Sequence, residues 1–177
     1  PTRKILEIGC GTGRWTPFLA ARSKRVVAFD FVKKLTNIAC EKTLKAGFEH
    51  VEFQIGDART FKLDECFDVV ICFGLTLYLD DNGLNQCIAN MSKMLLPNGW
   101  ILQKVPLACE KRKIQKGWNQ KLNNEYTCIY RTSKELAKSF FSAGFKIINE
   151  LQVYSKNENF APARAGIETK IFVWSKE

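Results

Sequence analysis

The residues best placed for chemistry begin at Glu7-Ile8-Gly9-Cys10-Gly11-Thr12-Gly13, a glycine-rich turn between an apolar run and a helical stretch. Glycines there let the chain turn tightly and bring its backbone close to a ligand. The start of the following helix adds unpaired N–H groups that favour negative charge. Two carboxylates stand at comparable places. Asp30 closes the run Arg25–Asp30, and Asp57 follows the run Val51–Ile55 through Gly56. Each has a plain structural alternative, Asp30 as a helix cap and Asp57 as a turn residue. Their joint position at strand ends, downstream of the glycine turn, points to a bound cofactor instead. A dinucleotide fingerprint would read GxGxxG, whereas this chain reads GxGxG with an acid two positions before the first glycine.

The elements that must position these residues alternate between strand-length runs and helical stripes. Lys4–Gly9, Arg25–Asp30, Val51–Ile55, Phe67–Phe73 and Trp100–Val105 are predicted strands, the fourth apolar enough to be buried on both faces. Helices are predicted over Thr16–Arg22, over the stripe Val32, Leu35, Ile38 and Ala39 that Gly47 stops, and over Leu84, Ile88, Met91 and Leu95, ended by Pro97. Thr132-Ser133-Lys134-Glu135 has the form of a capping box before Leu136, Ala137, Phe140 and Phe141, and Gly144 closes that helix. Phe145–Val153 and Thr169–Ser175 finish as strands. The order predicts a single-domain α/β fold over residues 1–177: an open, mostly parallel seven-stranded sheet with helices on both faces and an antiparallel last strand. Ala108–Glu125 reads as an irregular insertion, rich in base through Lys111, Arg112, Lys113, Lys116 and Lys121. Nothing precedes the first strand, so cover helices at that edge would have to come from a longer protein.

Taken in order along the chain, these features resemble the class I S-adenosylmethionine (SAM)-dependent methyltransferases. The GxGxG turn matches that family's first motif. Asp30 stands where the family places a carboxylate that accepts hydrogen bonds from both ribose hydroxyls. Gly56-Asp57-Ala58 stands where an acidic residue and its neighbour hold the adenine amino group. Phe67-Asp68-Val69-Val70-Ile71-Cys72-Phe73 looks like the fourth-strand motif, and Ala143-Gly144-Phe145 is also typical. Pro97-Asn98-Gly99-Trp100 departs from the usual Pro-Gly-Gly turn. The resemblance implies SAM as cofactor and S-adenosylhomocysteine (SAH) as product. It implies Glu7, Gly9, Cys10, Gly11, Gly13, Asp30, Phe31, Asp57, Ala58 and Phe73 as cofactor-binding residues.

Methyl transfer from SAM is an in-line displacement whose leaving group needs no acid, so positioning and exclusion of water dominate. His50 is the single histidine and begins the third strand, away from the cofactor, where a surface role suits it better than catalysis. Tyr78 falls where many relatives carry a histidine and is the candidate to orient an acceptor, with half-buried packing as its alternative. Tyr130 and Arg131 flank the expected acceptor entrance, where Arg131 is a candidate clamp for a carboxylate or phosphate, with a solvated basic loop as the stronger alternative. The Asn-Pro-Pro-Tyr motif of base-amine methylation is absent, as is the paired-glutamate loop of arginine methyltransferases. The stretch around Tyr130-Arg131-Thr132 is similar to protein N-terminal amine methyltransferases. The acceptor therefore stays open between a small molecule, which the compact pocket favours, a protein amine and RNA. A non-catalytic SAM-fold interaction module of a larger protein is the rival from another class.

Composition narrows the setting. With 46% hydrophobic and 25% charged residues the chain can build a core, which excludes a disordered or low-complexity protein. The longest uncharged apolar run, Val69 to Leu79, is short of the roughly 20 residues of a membrane span. A net charge of +9 favours anionic partners, and six Lys/Arg against one Glu between Lys104 and Lys121 could begin a track for nucleic acid. Seven cysteines without a CxxC fit buried thiols in a reducing compartment, cytoplasmic or nuclear. With one histidine and no ligand spacing, no metal site is expected.

Overall fold

Alternate side chains along the central strands sort into two separate cores, one on each face of a sheet. Val27 and Phe29, with Val70 and Cys72, join one core, while Val26 and Ala28, with Val69 and Ile71, join the other. That period of two is what buries a strand on both faces, and it requires helices on both sides. The computed structural model describes residues 3–120, 123–153 and 166–176. In chain order these hold β1 (Lys4–Ile8), α1 (Thr16–Ala20), β2 (Arg25–Asp30), α2 (Lys33–Lys45), β3 (Val51–Ile55) and β4 (Phe67–Phe73). There follow a 3-10 turn (Thr76–Tyr78), α3 (Asp81–Lys93), β5 (Leu95–Ala108), β6 (Lys113–Asn119), β7 (Asn124–Tyr130), α4 (Ser133–Phe141), β8 (Phe145–Gln152) and β9 (Ile167–Lys176).

Seven strands form the main sheet in the order β3-β2-β1-β4-β5-β9-β8. β1 to β5 pair in parallel, and β9 runs antiparallel between β5 and β8. This is the seven-stranded, mostly parallel sheet expected from the sequence. Leu84, Cys87, Ile88 and Met91 of α3 and Leu136 and Phe140 of α4 fill one core. Leu19 and Ala20 of α1 and Ala39 of α2 fill the other. The capping box of α4 is present: Thr132 Oγ1 accepts from the Glu135 amide at 3.2 Å and Glu135 Oε2 accepts from the Thr132 amide at 2.9 Å.

Besides shifts of a few residues at element ends, two features differ from expectation. α3 ends at Lys93, and Leu95 opens β5 by pairing with Phe67 rather than closing the helix. Pro97 therefore sits inside a bulged strand start, where Asn98 takes φ +64° and the register jumps from Phe67↔Leu95 to Val69↔Trp100. The second difference is larger. Ala108–Glu125 is not irregular: β6 and β7 pair antiparallel as a hairpin that forms its own two-stranded sheet. Its inward side chains Cys128 and Tyr130 pack with Leu77 and Ala108 in a small third core. Lys121 lies outside the described residues.

Trp174 joins the main core to the site. Its ring stacks on Phe140 with centroids 4.1 Å apart, and its Nε1 donates to Gln103 Oε1 at 3.0 Å. Gln103 Nε2 in turn donates to Thr76 Oγ1 at 3.1 Å, fixing the turn that carries Tyr78. Trp174→Ala is expected to lower stability by about 3–5 kcal/mol, read as a lower urea midpoint, because it empties a buried site and orphans Gln103. Trp174→Phe should cost clearly less.

Candidate functional site

The glycine turn follows β1, and β1 is the strand from which the sheet grows in both directions, to β2 and to β4. Such a reversal leaves a crevice at the carboxyl ends of the strands. The turn is anchored there, since the Gly9 and Cys10 amides both donate to the Phe29 carbonyl at 2.9 and 3.0 Å. Asp30 ties it from the side. Its Oδ2 accepts the Gly11 amide at 2.9 Å, and its Oδ1 accepts the Val32 amide at 2.9 Å. Gly11 has φ +54°, and a Cβ there would meet nothing within 4 Å, so its backbone faces open space. Gly13 serves differently. At φ +68° a Cβ would lie 2.9 Å from the Ala39 Cα, so its glycine is needed for the approach of α2.

Glu7 is buried below the turn and accepts a 2.6 Å hydrogen bond from Thr16 Oγ1. Burial pushes its carboxyl up to about 7, with the Asp30 charge adding to the rise and the Thr16 hydrogen bond opposing it. Burial, with the charges of Glu7 and Asp30, likewise raises the Cys10 thiol. Cys72 is held protonated by its hydrogen bond with Cys87 and by complete burial, so it packs and does not react.

Three cavities meet at Gly9. The first, about 410 Å³, runs past Asp30, Phe31, Asp57, Ala58 and Tyr78. The second, about 980 Å³, lies between the Gly9–Gly11 backbone and the hairpin and includes Phe31, Phe73, Tyr78, Tyr126 and Tyr130. The third, about 410 Å³, holds Glu7, Cys10, Arg14, Phe73 and Lys104. Phe31 is 71% exposed and borders both of the first two cavities, and Tyr78 is 55% exposed at the same junction. The Tyr78 ring meets Tyr126 edge-on at 6.4 Å.

The profile of a family described as a methyltransferase domain matches residues 5–99, more than half of the chain. The chain belongs to this methyltransferase family. Nodulation protein S of Sinorhizobium fredii is 29% identical over 103 residues, covering 58% of this chain and 47% of that protein. Phosphoethanolamine N-methyltransferase 1 of Triticum aestivum is 29% identical over 102 residues, covering 56% of this chain and 20% of that protein. The chain thus matches less than half the length of either relative. In fold it is similar to a SAM-dependent methyltransferase of Methanosarcina mazei, with a TM-score of 0.80 at 17% identity, over 98% of this chain and 92% of that one. The class I methyltransferase fold read from the sequence is the fold of this chain.

Against that framework, Gly9, Gly11, Asp30, Phe31, Asp57 and Ala58 of this methyltransferase domain line the first two cavities, and Glu7, Cys10 and Phe73 line the third. Gly13 lines none of the three and packs against α2 instead. Asp57 is there but engaged: Arg59 grips its carboxylate through Nε at 2.9 Å and holds its pKa below the ordinary carboxylate range. The expected anion clamp at Arg131 gives way to a structural one. Arg131 is 3% exposed, and its guanidinium donates to the carbonyls of Thr76 and Leu79 at 3.2 and 2.8 Å and to Asp81 at 2.7 Å. A group so surrounded holds the Tyr78 turn rather than reaching for a substrate. Tyr130 is buried beside it on the wall of the second cavity. His50 is exposed at the start of β3, 3.2 Å from the Ala20 carbonyl. Tyr126, Trp118 and Glu125 were missed among the candidates, although Tyr126, Cys128 and Tyr130 already show the period of two of a one-sided strand.

Glu7 gives this site a measurable pH dependence. Its pKa in the folded chain, about 7, lies above its ordinary 4.5, so folding favours the protonated form. Below 4.5 both states keep the proton. As pH rises toward 7 the unfolded chain ionises first, and the contribution of Glu7 to stability falls, levelling above 7. The loss should approach about 3 kcal/mol between pH 4.5 and 7.5. Glu7→Gln should remove that part of the slope, as read from urea unfolding of both proteins across this range.

Proposed function

We propose that this chain transfers a methyl group from SAM to a small-molecule acceptor. The observation that carries the reading is the shared wall: Gly9, Asp30, Phe31 and Tyr78 border both the first cavity and the larger second one. A cofactor in one would therefore present its reactive end to an acceptor in the other. The residues fit SAM. The open backbone at Gly11 leaves room for close approach, and each Asp30 oxygen, holding one backbone N–H, keeps lone-pair capacity for a ribose hydroxyl. The exposed Phe31 ring offers an apolar face, and Asp57 and Ala58 close the far end of the first cavity. SAM supplies a methyl carbon activated by a sulfonium. The chain supplies binding, alignment and a cavity wall of aromatic rings that limits water.

A small acceptor is supported by the second cavity of about 980 Å³ beside the hairpin, and the phosphoethanolamine relative bears the name of an enzyme for a compact substrate. The basic stretch supports RNA less than its sequence promised, because Arg112 is engaged by Asp81 at 2.8 Å and Glu135 at 3.2 Å. Four of the thiols, at Cys10, Cys72, Cys87 and Cys128, are buried as small core residues, which supports the reading of a reducing compartment, cytoplasmic or nuclear.

Calorimetric titration is expected to give binding of SAH and no binding of NAD. Asp30→Ala should weaken SAH by at least about tenfold, the loss of charge-assisted hydrogen bonds to ribose. Binding of NAD alone, or unchanged SAH affinity in the variant, would count against the reading. Incubation with methyl-labelled SAM and cell extract should place label in the small-molecule fraction. RNA labelling that falls on neutralising Lys111, Arg112 and Lys113 together would transfer the assignment to RNA. Binding of SAH without label in any fraction would favour the non-catalytic module.

A further inference from the structure

The chain carries a surplus of nine positive charges, yet none of it falls among the described residues that line the second cavity. The described residues lining that cavity include Asp30 and Glu125 and not a single Lys, Arg or His. What they include instead is aromatic: Tyr78 on the 3-10 turn, Trp118, Tyr126 and Tyr130 on the hairpin, and Phe31 and Phe73. Aromatic faces carry negative potential and attract cations, most strongly where water is partly excluded. A nearby carboxylate adds to that field. Among the described lining residues a phosphate or carboxylate would meet two acids and no counter-charge.

The hairpin holds these groups in place. Trp118 and Glu125 are directly paired across its strands, and so are Gly117 and Tyr126. A Cβ at Gly117 would fall 2.6 Å from both the Tyr126 Cζ and its hydroxyl oxygen, so the hydroxyl end of the ring occupies the space that the glycine leaves. Tyr126 then meets Tyr78 edge-on, and the Tyr78 turn is itself fixed by Arg131 and Gln103. Asp30 belongs to the glycine turn through its two backbone N–H bonds. Glu125 belongs to the hairpin, is exposed and lines the same cavity.

We infer that the methyl acceptor is an unphosphorylated amine, received as a cation against Tyr78 and Tyr126 in the cavity that Asp30 and Glu125 also line. This rests on the reading of the chain as a methyltransferase and adds the acceptor atom. The ammonium gives a proton to solvent water, which frees the nitrogen lone pair. That pair forms the N–C bond to the methyl carbon while the C–S bonding pair stays on sulfur, leaving a neutral thioether. The product nitrogen again carries one positive charge, so the same aromatic wall receives both acceptor and product. Overall, ammonium and sulfonium become methylammonium, thioether and one proton.

The test uses the SAH-saturated protein and three probes of one shape: choline, its neutral isostere 3,3-dimethylbutan-1-ol, and phosphocholine. Choline is expected to bind about tenfold tighter than either of the others. Tyr126→Leu and Glu125→Gln should each erase most of that preference, Tyr126→Phe should keep it, and SAH affinity should stay unchanged in all three. Equal or tighter binding of the alcohol or of phosphocholine overturns the inference, as does absence of choline binding. A preference that survives both Tyr126→Leu and Glu125→Gln overturns it as well. Failure of the unmodified protein to bind SAH would sink the methyltransferase reading itself, and the amine assignment with it.

Discussion

The carboxylate of Asp30 accepts one backbone N–H from the glycine turn and one from the approach to α2, and much of the site depends on that pair of hydrogen bonds. A turn of three positive-φ glycines has little intrinsic preference for one shape, so something outside it must choose. Asp30 chooses by charge-assisted hydrogen bonds from one side, and the Phe29 carbonyl does so from below. Both sit at the end of β2, whose position is set by parallel pairing with β1 and β3. The geometry of the turn is thus inherited from the sheet, and the cavities that meet at Gly9 inherit it in turn.

The fold was legible because burial on both faces leaves a plain pattern. Strands such as Phe67–Phe73 are nearly all apolar, helices carry stripes, and each glycine or capping box marks a boundary. The boundary at Pro97 was misread for a physical reason. Proline usually ends a helix by denying it a hydrogen bond, but the helix had already ended at Lys93, and the bulge before Trp100 accommodates the proline in a strand. The hairpin was hidden by its composition: lysines and polar residues on the outward face mask an alternation that only Tyr126, Cys128 and Tyr130 display.

The candidate site was legible as a set of positions and less so as a set of roles. Gly13 satisfies the same motif as Gly9 and Gly11, yet only the position of Ala39 reveals that its missing Cβ serves packing. Asp57 and Arg131 show the complementary limit. A charged residue beside a cavity looks available from sequence, and its partner decides otherwise: Arg59 is two residues from Asp57, whereas Asp81 is fifty residues from Arg131. Local partners can be guessed from spacing. Distant ones come from the sheet topology that brings the end of β7 against the start of α3.

The hairpin has its own sheet and its own small core, and its inner end is fastened by Arg131 and Arg112, both bonded to Asp81. It covers the cavities without contributing a strand to the main sheet. Sequence drift in its outer half therefore leaves the seven-stranded scaffold and the glycine turn intact while reshaping the wall that an acceptor meets. The architecture lets the sheet-borne half and the hairpin half change independently. A lineage carrying it could trade one acceptor for another by rewriting a few hairpin residues, with the cofactor half passing unchanged through each trade.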